Sequence, residues 1–184
     1  MGYDLATNDR AQALAAGDTS VWATAGLHPH EVAKAPEDAL ERLLALATEF
    51  GLPLVVHSRD AMDETLDRIE RAAPPRRGVM HCWSGNAAQA LRAAQMGMKI
   101  GFGGSLTYGD AGVEESARRI PDDALLLETD APYLVPEPKD TKRNEPALMT
   151  RVRAKLAALR GTSEDAIDEL TTQNAARLLA LGIS

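Results

Sequence analysis

The 184-residue sequence has little cysteine, no long apolar run and no excess of positive charge. Its single cysteine, Cys82, excludes an internal disulfide and favours a reducing compartment. No apolar stretch approaches the ~20 residues that a membrane-spanning helix needs. The residues after Met1 lack the basic and apolar regions of a secretory signal, so we expect a cytoplasmic protein without a membrane partner. The net charge of −7 argues against a broad basic face for long nucleic acid.

Three short apolar runs end in side chains that can bind a metal, namely His57, His81 and Asp130. Runs of this kind are typical of strands that are buried on both faces. Helical patterns alternate with them along most of the chain, which predicts βα units and a parallel sheet. Because parallel strands bring their carboxyl ends to one edge, we expect the three side chains to converge there. Imidazole and carboxylate ligands suit Zn, Mn, Fe or Mg, and such a site would activate water and polarise a phosphoryl or carbonyl oxygen.

Several other residues have a functional and a structural interpretation. A lone histidine at a strand end is usually only a hydrogen-bonded polar residue. The sequence His28-Pro29-His30 resembles a metal-binding H-x-H pair, but Pro29 more simply shapes a loop, and we keep His28 as a candidate substrate contact. Cys82 could act as a nucleophile, although a small buried residue is the simpler interpretation.

Two further segments bear on phosphate binding. Residues 101–104 are rich in glycine but lack the spacing of a nucleotide-binding loop, so we interpret them as a tight turn. The candidates for holding a phosphate are Arg59, Lys142 and Arg143, each of which could equally be a solvated surface charge. We favour Arg143, because it lies in the loop that follows the Asp130 run.

Five segments occur in a recognisable order. They are Gly26–Glu31, Leu52–Ala61, His81–Gly85, Glu128–Leu134 and Arg143–Pro146. Together they resemble the TatD family of metal-dependent deoxyribonucleases, which is similar to the amidohydrolase-type TIM barrels. The most specific of the five contains the sequence Glu-Thr-Asp-Ala-Pro-Tyr.

The resemblance implies a hydrolase that uses a divalent metal ion (Mg, Mn or Zn) and a water activated by it. The expected substrate is DNA or another phosphodiester, cleaved in the 3′-to-5′ direction in some family members. By the same resemblance, His57 and His81 are metal ligands, and Asp130 is a ligand or the general base. His28 and Arg143 would lie at the substrate end of the site.

The sequence also departs from the family pattern. No stretch matches the family's first strand with its H-x-H ligand pair, and the internal Gly-Glu-x-Gly-Leu-Asp motif, whose Glu is a metal ligand, is missing. A complete barrel of this type needs about 250 residues. We therefore predict a single domain over residues 1–184, an α/β fold of TIM-barrel type that is incomplete, with about five strands and fewer than eight. Open sheet edges in such a fold predict self-association.

Two alternatives to a deoxyribonuclease stay open from the sequence. One is a barrel hydrolase that acts on another ester or an amide, because the loops decide the substrate. The other is a catalytically impaired remnant that serves as a structural or partner-binding protein, as the missing Glu motif suggests.

Overall fold

The computed structural model forms two compact units, Met1–Phe50 and Gly51–Ser184. Every strand of the described residues lies in the second unit. The predicted single domain stays a prediction. The structure describes residues 5–18, 21–24, 26–28, 35–74 and 78–181.

The first unit contains the helices α1 (Leu5–Ala16) and α2 (Ala39–Glu49). Helix α2 was expected from its apolar face, of which Ala47 is buried while Leu40 is exposed. The apolar and β-branched residues of the stretch 21–27 also predict a strand, but this prediction is wrong, because the described residues of the stretch belong to no strand. A strand requires a neighbour for its N–H and C=O groups, and the structure records no such pairing there.

The second unit is built on a four-stranded parallel sheet in which the strands follow one another in sequence order. A helix separates each strand from the next, which confirms the predicted α/β class with a parallel sheet. The count of strands in the described residues is four, rather than the five expected. The elements are β1 (Leu54–His57), α3 (Met62–Ala72), β2 (Gly78–His81), α4 (Ala87–Gln95), β3 (Lys99–Phe102), α5 (Ala111–Arg119), β4 (Leu125–Leu127), α6 (Met149–Arg160) and α7 (Glu164–Leu179).

The register of the sheet sets the positions of the functional side chains. His57 and His81 are paired partners at the carboxyl ends of β1 and β2. On the other side of β2, Met80 pairs with Ile100, which in turn pairs with Leu125 of β4. The carboxyl ends of all four strands therefore lie along one edge of the sheet. Strands β1 and β4 are its outer strands in the described residues, and the self-association expected of open edges stays a prediction.

Apolar side chains from the sheet and from the helices form one core. Strands β2 to β4 are largely buried, which the short apolar runs predicted for β2 and β4. The same expectation is wrong for β1, in which Val55 is 48% exposed. Burial of each large aliphatic side chain stabilises the fold by about 1.5–3 kcal/mol before entropy is counted. The largest side chains with under 2% exposure are Trp83, Phe102, Leu66, Met80, Met98, Ile100, Leu106, Ile120, Leu125, Leu156, Ile167 and Val152.

Helix ends follow the expected capping chemistry with one shift. Asn86 and Gln89 form the capping box at the start of α4, in agreement with the predicted cap. For helix α7, Thr162 followed by Asp165 three residues on has the sequence pattern of a capping box. The structure instead caps this helix with Ser163, whose hydroxyl accepts a hydrogen bond from Ala166 N. No helix in the described ranges is both long and apolar enough to cross a bilayer.

Candidate active site

The imidazole of His81 is held from behind by a carboxylate. Its Nδ1 lies 2.5 Å from Oε2 of Glu128, and the other carboxylate oxygen accepts a hydrogen bond from Cys82 N at 2.5 Å. An ionised carboxylate only accepts hydrogen bonds, so Nδ1 carries the proton. The second ring nitrogen, Nε2, therefore points away from Glu128, and in the neutral ring its lone pair can bind a metal or take a proton.

Gly101 makes room for this carboxylate. It lies inside β3, and a Cβ atom built on it would stand 2.5 Å from Oε2 of Glu128. The interpretation of residues 101–104 as a tight turn was thus wrong for Gly101, which is a strand residue. Its missing side chain creates the space in which Glu128 reaches His81.

Asp130 meets His81 from a loop and not from a strand. Strand β4 ends at Leu127, and Glu128 N still donates to Phe102 O at 3.1 Å. The predicted strand over residues 125–130 is therefore too long, because Asp130 has a φ of 55°, which no strand adopts. Its Oδ1 lies 3.3 Å from His81 Nε2, and the two carboxylates thus contact opposite nitrogens of one ring.

His57 lies beside this group on the neighbouring strand. Its ring centroid is 6.1 Å from that of His81, with 50° between the ring planes. Within the residues that the structure describes, no three or more His, Cys, Asp or Glu side chains are grouped closely enough to hold a metal. The pair His81 and Asp130 is the part of the expected ligand set that the structure brings into contact, and the role of His57 stays a prediction.

The remaining predicted site residues, His28 and Arg143, lie outside this group. His28 belongs to the first unit, where it is half-buried, while Pro29 and His30 of the same motif lie outside the described residues. Arg143 is exposed and directly precedes Asn144. The backbone N–H of Asn144 donates to Pro132 O at 3.0 Å, in the loop of residues 129–134 that follows β4, which we call the Asp130 loop. The roles of His28 and Arg143 as substrate contacts stay predictions.

Two groups at the strand ends have shifted pKa values. The hydrogen bond to Glu128 raises the pKa of His81, burial opposes the rise, and the charges of Glu128 and Asp130 add to it. Burial raises the pKa of the Cys82 thiol to about 11, with a further contribution from the same two carboxylates. A thiol with such a pKa is almost fully protonated near neutral pH, which agrees with a structural and not a nucleophilic role for Cys82.

The raised pKa of His81 predicts how the stability of the metal-free chain depends on pH. A raised pKa stabilises the fold at pH values below the unfolded value of 6.5, and this contribution is lost as the pH rises through the folded value. We expect the free energy of unfolding of the native chain to approach that of His81→Asn as the pH increases. Urea unfolding of both chains with a chelator, from pH 5.5 upward, measures this difference.

The variant Glu128→Gln is the control for this prediction. It removes the main cause of the raised pKa, so the pH dependence that His81 contributes should flatten. A difference between native chain and His81→Asn that widens with rising pH would contradict the assigned direction.

A family model described as "TatD related DNase" matches residues 33–180 of the chain. The match covers well over half of the sequence. The chain belongs to the TatD family. This assignment confirms the family that the five sequence segments indicated.

Individual relatives agree with the assignment. The uncharacterized metal-dependent hydrolase YabD of Bacillus subtilis is 36% identical over 154 residues, which cover 80% of this chain and 60% of YabD. The 3′-5′ ssDNA/RNA exonuclease TatD of Klebsiella pneumoniae is 29% identical, with 100% of this chain and 86% of the relative covered. That alignment spans 226 positions, so the Klebsiella TatD has residues inside the matched region that this TatD-family chain lacks.

A solved structure supports the fold. The crystal structure of YjjV, a TatD homologue from Escherichia coli K12, matches with a TM-score of 0.89 and 29% identity, covering 98% of this chain and 85% of YjjV. The parallel α/β architecture is therefore that of an incomplete TIM-type barrel, as predicted. The chain spans less than two thirds of the length of YabD, so its activity is a matter for proposal.

Proposed function

We propose that this TatD-family chain is a metal-dependent hydrolase that cleaves phosphodiester bonds of single-stranded nucleic acid from the 3′ end. One observation carries the proposal. Oδ1 of Asp130 and Nε2 of His81 face each other at 3.3 Å, while Glu128 keeps the proton of the ring on the opposite nitrogen. Two such acceptors are stable side by side only with a proton or a cation between them.

The donor set fits a divalent cation. Two ligands of one tetrahedral ion, each about 2.1 Å from it, are roughly 3.4 Å apart, close to the separation of the two atoms. The carboxylate behind His81 is the usual partner of a metal-binding imidazole, since it fixes the tautomer and the ring orientation. His81 and Asp130 would hold the ion, and His57 on the adjacent strand is the candidate third ligand.

We propose a separate role for each residue of the site. Glu128 orients His81, and we propose that Asp130 also accepts a proton from an attacking water as general base. Arg143 is the candidate for positioning a phosphate, because it follows the loop of Asp130 and is exposed. When bound, the divalent ion would supply charge stabilisation at the phosphoryl oxygen and lower the pKa of water. His28 is proposed as a further substrate contact.

The names of relatives support nucleic acid as the substrate. The Klebsiella relative is named a 3′-5′ ssDNA/RNA exonuclease, whereas YabD is named only a metal-dependent hydrolase. Hydrolysis of another ester or an amide is therefore the alternative within the same chemistry. An impaired relative without turnover is the other alternative, because the sequence lacks the Gly-Glu-x-Gly-Leu-Asp motif.

A cleavage assay on a 5′-labelled single-stranded oligonucleotide tests the proposal. With Mg²⁺, Mn²⁺ or Zn²⁺ we expect a ladder of products shortened from the 3′ end, and a chelator should stop its formation. Asp130→Asn keeps the shape of the side chain but removes the base and a charged ligand, so the rate should fall by at least about 100-fold.

Asp140→Asn is the matched control. This carboxylate makes an exposed bidentate pair with Arg151, and its replacement should leave cleavage unchanged. Metal binding without cleavage of DNA or RNA would favour a hydrolase that acts on another ester or an amide. Hydrolysis of nitrophenyl esters would then be measured. Failure to bind any of the three ions would mean that this chain is the catalytically impaired alternative.

A further inference from the structure

We propose that Asn144 is a positioning residue that holds the backbone of the Asp130 loop and thereby aims the Asp130 carboxylate at His81. The side chain of Asn144 is 2% exposed and lies within reach of both ends of this loop. The hydrogen bonds of Asn144 supply the geometry of this inference. Its consequence for metal binding rests on the proposed function.

One side-chain amide serves three carbonyl groups. Nδ2 of Asn144 lies 2.6 Å from Thr129 O, 2.7 Å from Tyr133 O and 3.2 Å from Leu134 O. The backbone N–H of the same residue donates to Pro132 O at 3.0 Å. Asn144 therefore contacts the loop on both sides of Asp130, ten to fifteen positions away in sequence.

The orientation of this amide is fixed by chemistry. A flipped amide would place its oxygen against three carbonyl oxygens, all of which are acceptors. In the orientation present, Oδ1 of Asn144 is buried without a hydrogen-bond partner among the described residues. A buried polar atom without a partner costs about 1–3 kcal/mol, and the benefit that offsets this cost is the fixed loop.

The loop needs such a holder because its backbone is strained. Asp130 and Leu134 have φ values of 55° and 53°, a region that side chains other than glycine occupy at a cost. Within the loop, Tyr133 N donates to Asp130 O at 2.9 Å, which forms a single turn. The carbonyl groups that flank this turn are the ones that Asn144 binds, so the turn and the direction of Asp130 depend on it.

The chain contains a matched control for the chemistry of Asn144. Asn174 on α7 is 1% exposed, and its Nδ2 donates to Asp122 O at 2.7 Å and to Leu125 O at 2.9 Å. Its Oδ1 is likewise buried without a partner among the described residues. Asn174 thus makes the same kind of bonds, but at the amino end of β4 and away from Asp130.

The test compares Asn144→Asp with Asn174→Asp in the full chain. Each change keeps the shape of the side chain and sets an oxygen against backbone carbonyl groups, so we expect both to lower the midpoint of urea unfolding. Titration with Mn²⁺ alone should then separate them. Asn144→Asp should weaken Mn²⁺ binding about 10- to 100-fold, as the loss of an outer partner of a metal ligand does, whereas Asn174→Asp should leave it unchanged.

A second variant covers the case in which Asn144→Asp does not fold. Asn144→Ala removes the donor without adding repulsion, and it should weaken Mn²⁺ binding in the same direction. Equal losses of affinity in the Asn144 and Asn174 variants would overturn the inference, because general destabilisation would then explain them. Unchanged affinity in both Asn144 variants would overturn it as well.

Hydrogen exchange distinguishes failure of this inference from failure of the proposed function. If the native chain binds no Mn²⁺, the proposed function fails, but the amide of Tyr133 still reports on the loop. Exchange at this amide should be at least tenfold faster in the Asn144 variants than in Asn174→Asp. An equal exchange rate would show that Asn144 does not hold the loop.

Discussion

Replacing His81 with alanine is expected to abolish binding of divalent metal while the chain stays folded. The ring sits at the carboxyl end of β2 and is not a member of the buried apolar cluster that forms the core, so we expect the fold to tolerate its loss. Loss of a ligand removes several kcal/mol of transition-state stabilisation. We therefore expect hydrolysis to fall by at least about 1,000-fold. Titration with Mn²⁺ and the oligonucleotide assay measure the two effects.

Val79→Ala is the matched control for this variant. Val79 lies on the same strand, is half-buried like His81 and has no ligand atom. Its truncation should cost some stability but leave Mn²⁺ affinity unchanged. Native affinity in His81→Ala would contradict the proposed site. Loss of the cooperative unfolding transition would instead mean that His81 belongs to the structural core.

Truncation of Trp83 to alanine is expected to lower the free energy of unfolding by about 3–5 kcal/mol, which is the usual cost of removing a large buried aromatic side chain. The ring is 1% exposed, and its Nε1 donates to Ser116 Oγ of α5 at 3.1 Å. The backbone N–H of Trp83 donates to Gly101 O at 3.1 Å. Since domains of this size are stabilised by only about 5–15 kcal/mol, the loss leaves a marginal fold. Urea denaturation with a linear extrapolation measures it.

Trp83→Phe separates the two parts of this effect. It keeps most of the buried ring and loses the hydrogen bond to Ser116, whose hydroxyl still donates to Gly112 O at 2.7 Å. The expected cost is about 1–2 kcal/mol. A cost for Trp83→Ala no larger than that for Trp83→Phe would mean that burial of the ring does not anchor the end of β2 to α5.

The sequence predicted the strands that carry the histidines because their signals are local. An apolar run that ends in His57 and another that ends in His81 indicate two strands, and the parallel class then places both rings at one edge. The structure pairs these two residues directly. The family motif around Asp130 located the third group correctly near His81, although not on a strand.

Glu128 and Asn144 were not recognised as site residues from the sequence, for two different reasons. Because a strand was expected as far as Asp130, Glu128 was interpreted as one of its residues, without a functional role. The glycine at position 101 was the available signal, since a strand interior without a side chain often marks the close approach of another group. Asn144 lies in the family segment Arg143–Pro146, but that segment drew attention to Arg143. A single loop asparagine has no periodicity, and its partners lie ten or more residues away.

The boundaries of β4 differ from expectation because tertiary contacts decide where the strand ends. Three leucines and the Glu that follows continue the ladder to β3, as the bond from Glu128 N to Phe102 O indicates. Beyond that point the backbone turns left-handed at Asp130. Neither the turn nor its holder is encoded in the pattern of apolar residues, which is the pattern from which strands are predicted.

The three-residue strand β4 is fastened at both ends by side chains that follow it in the chain. Asn174 binds the carbonyl groups of Asp122 and Leu125, 52 and 49 positions earlier, and Asn144 binds the loop at the other end. During synthesis, β4 leaves the ribosome well before either asparagine does. The Asp130 loop can therefore reach its final shape only after Asn144 has been synthesised, and β4 is held at its amino end only after α7 has docked, so that both ends of β4 are fixed late in folding.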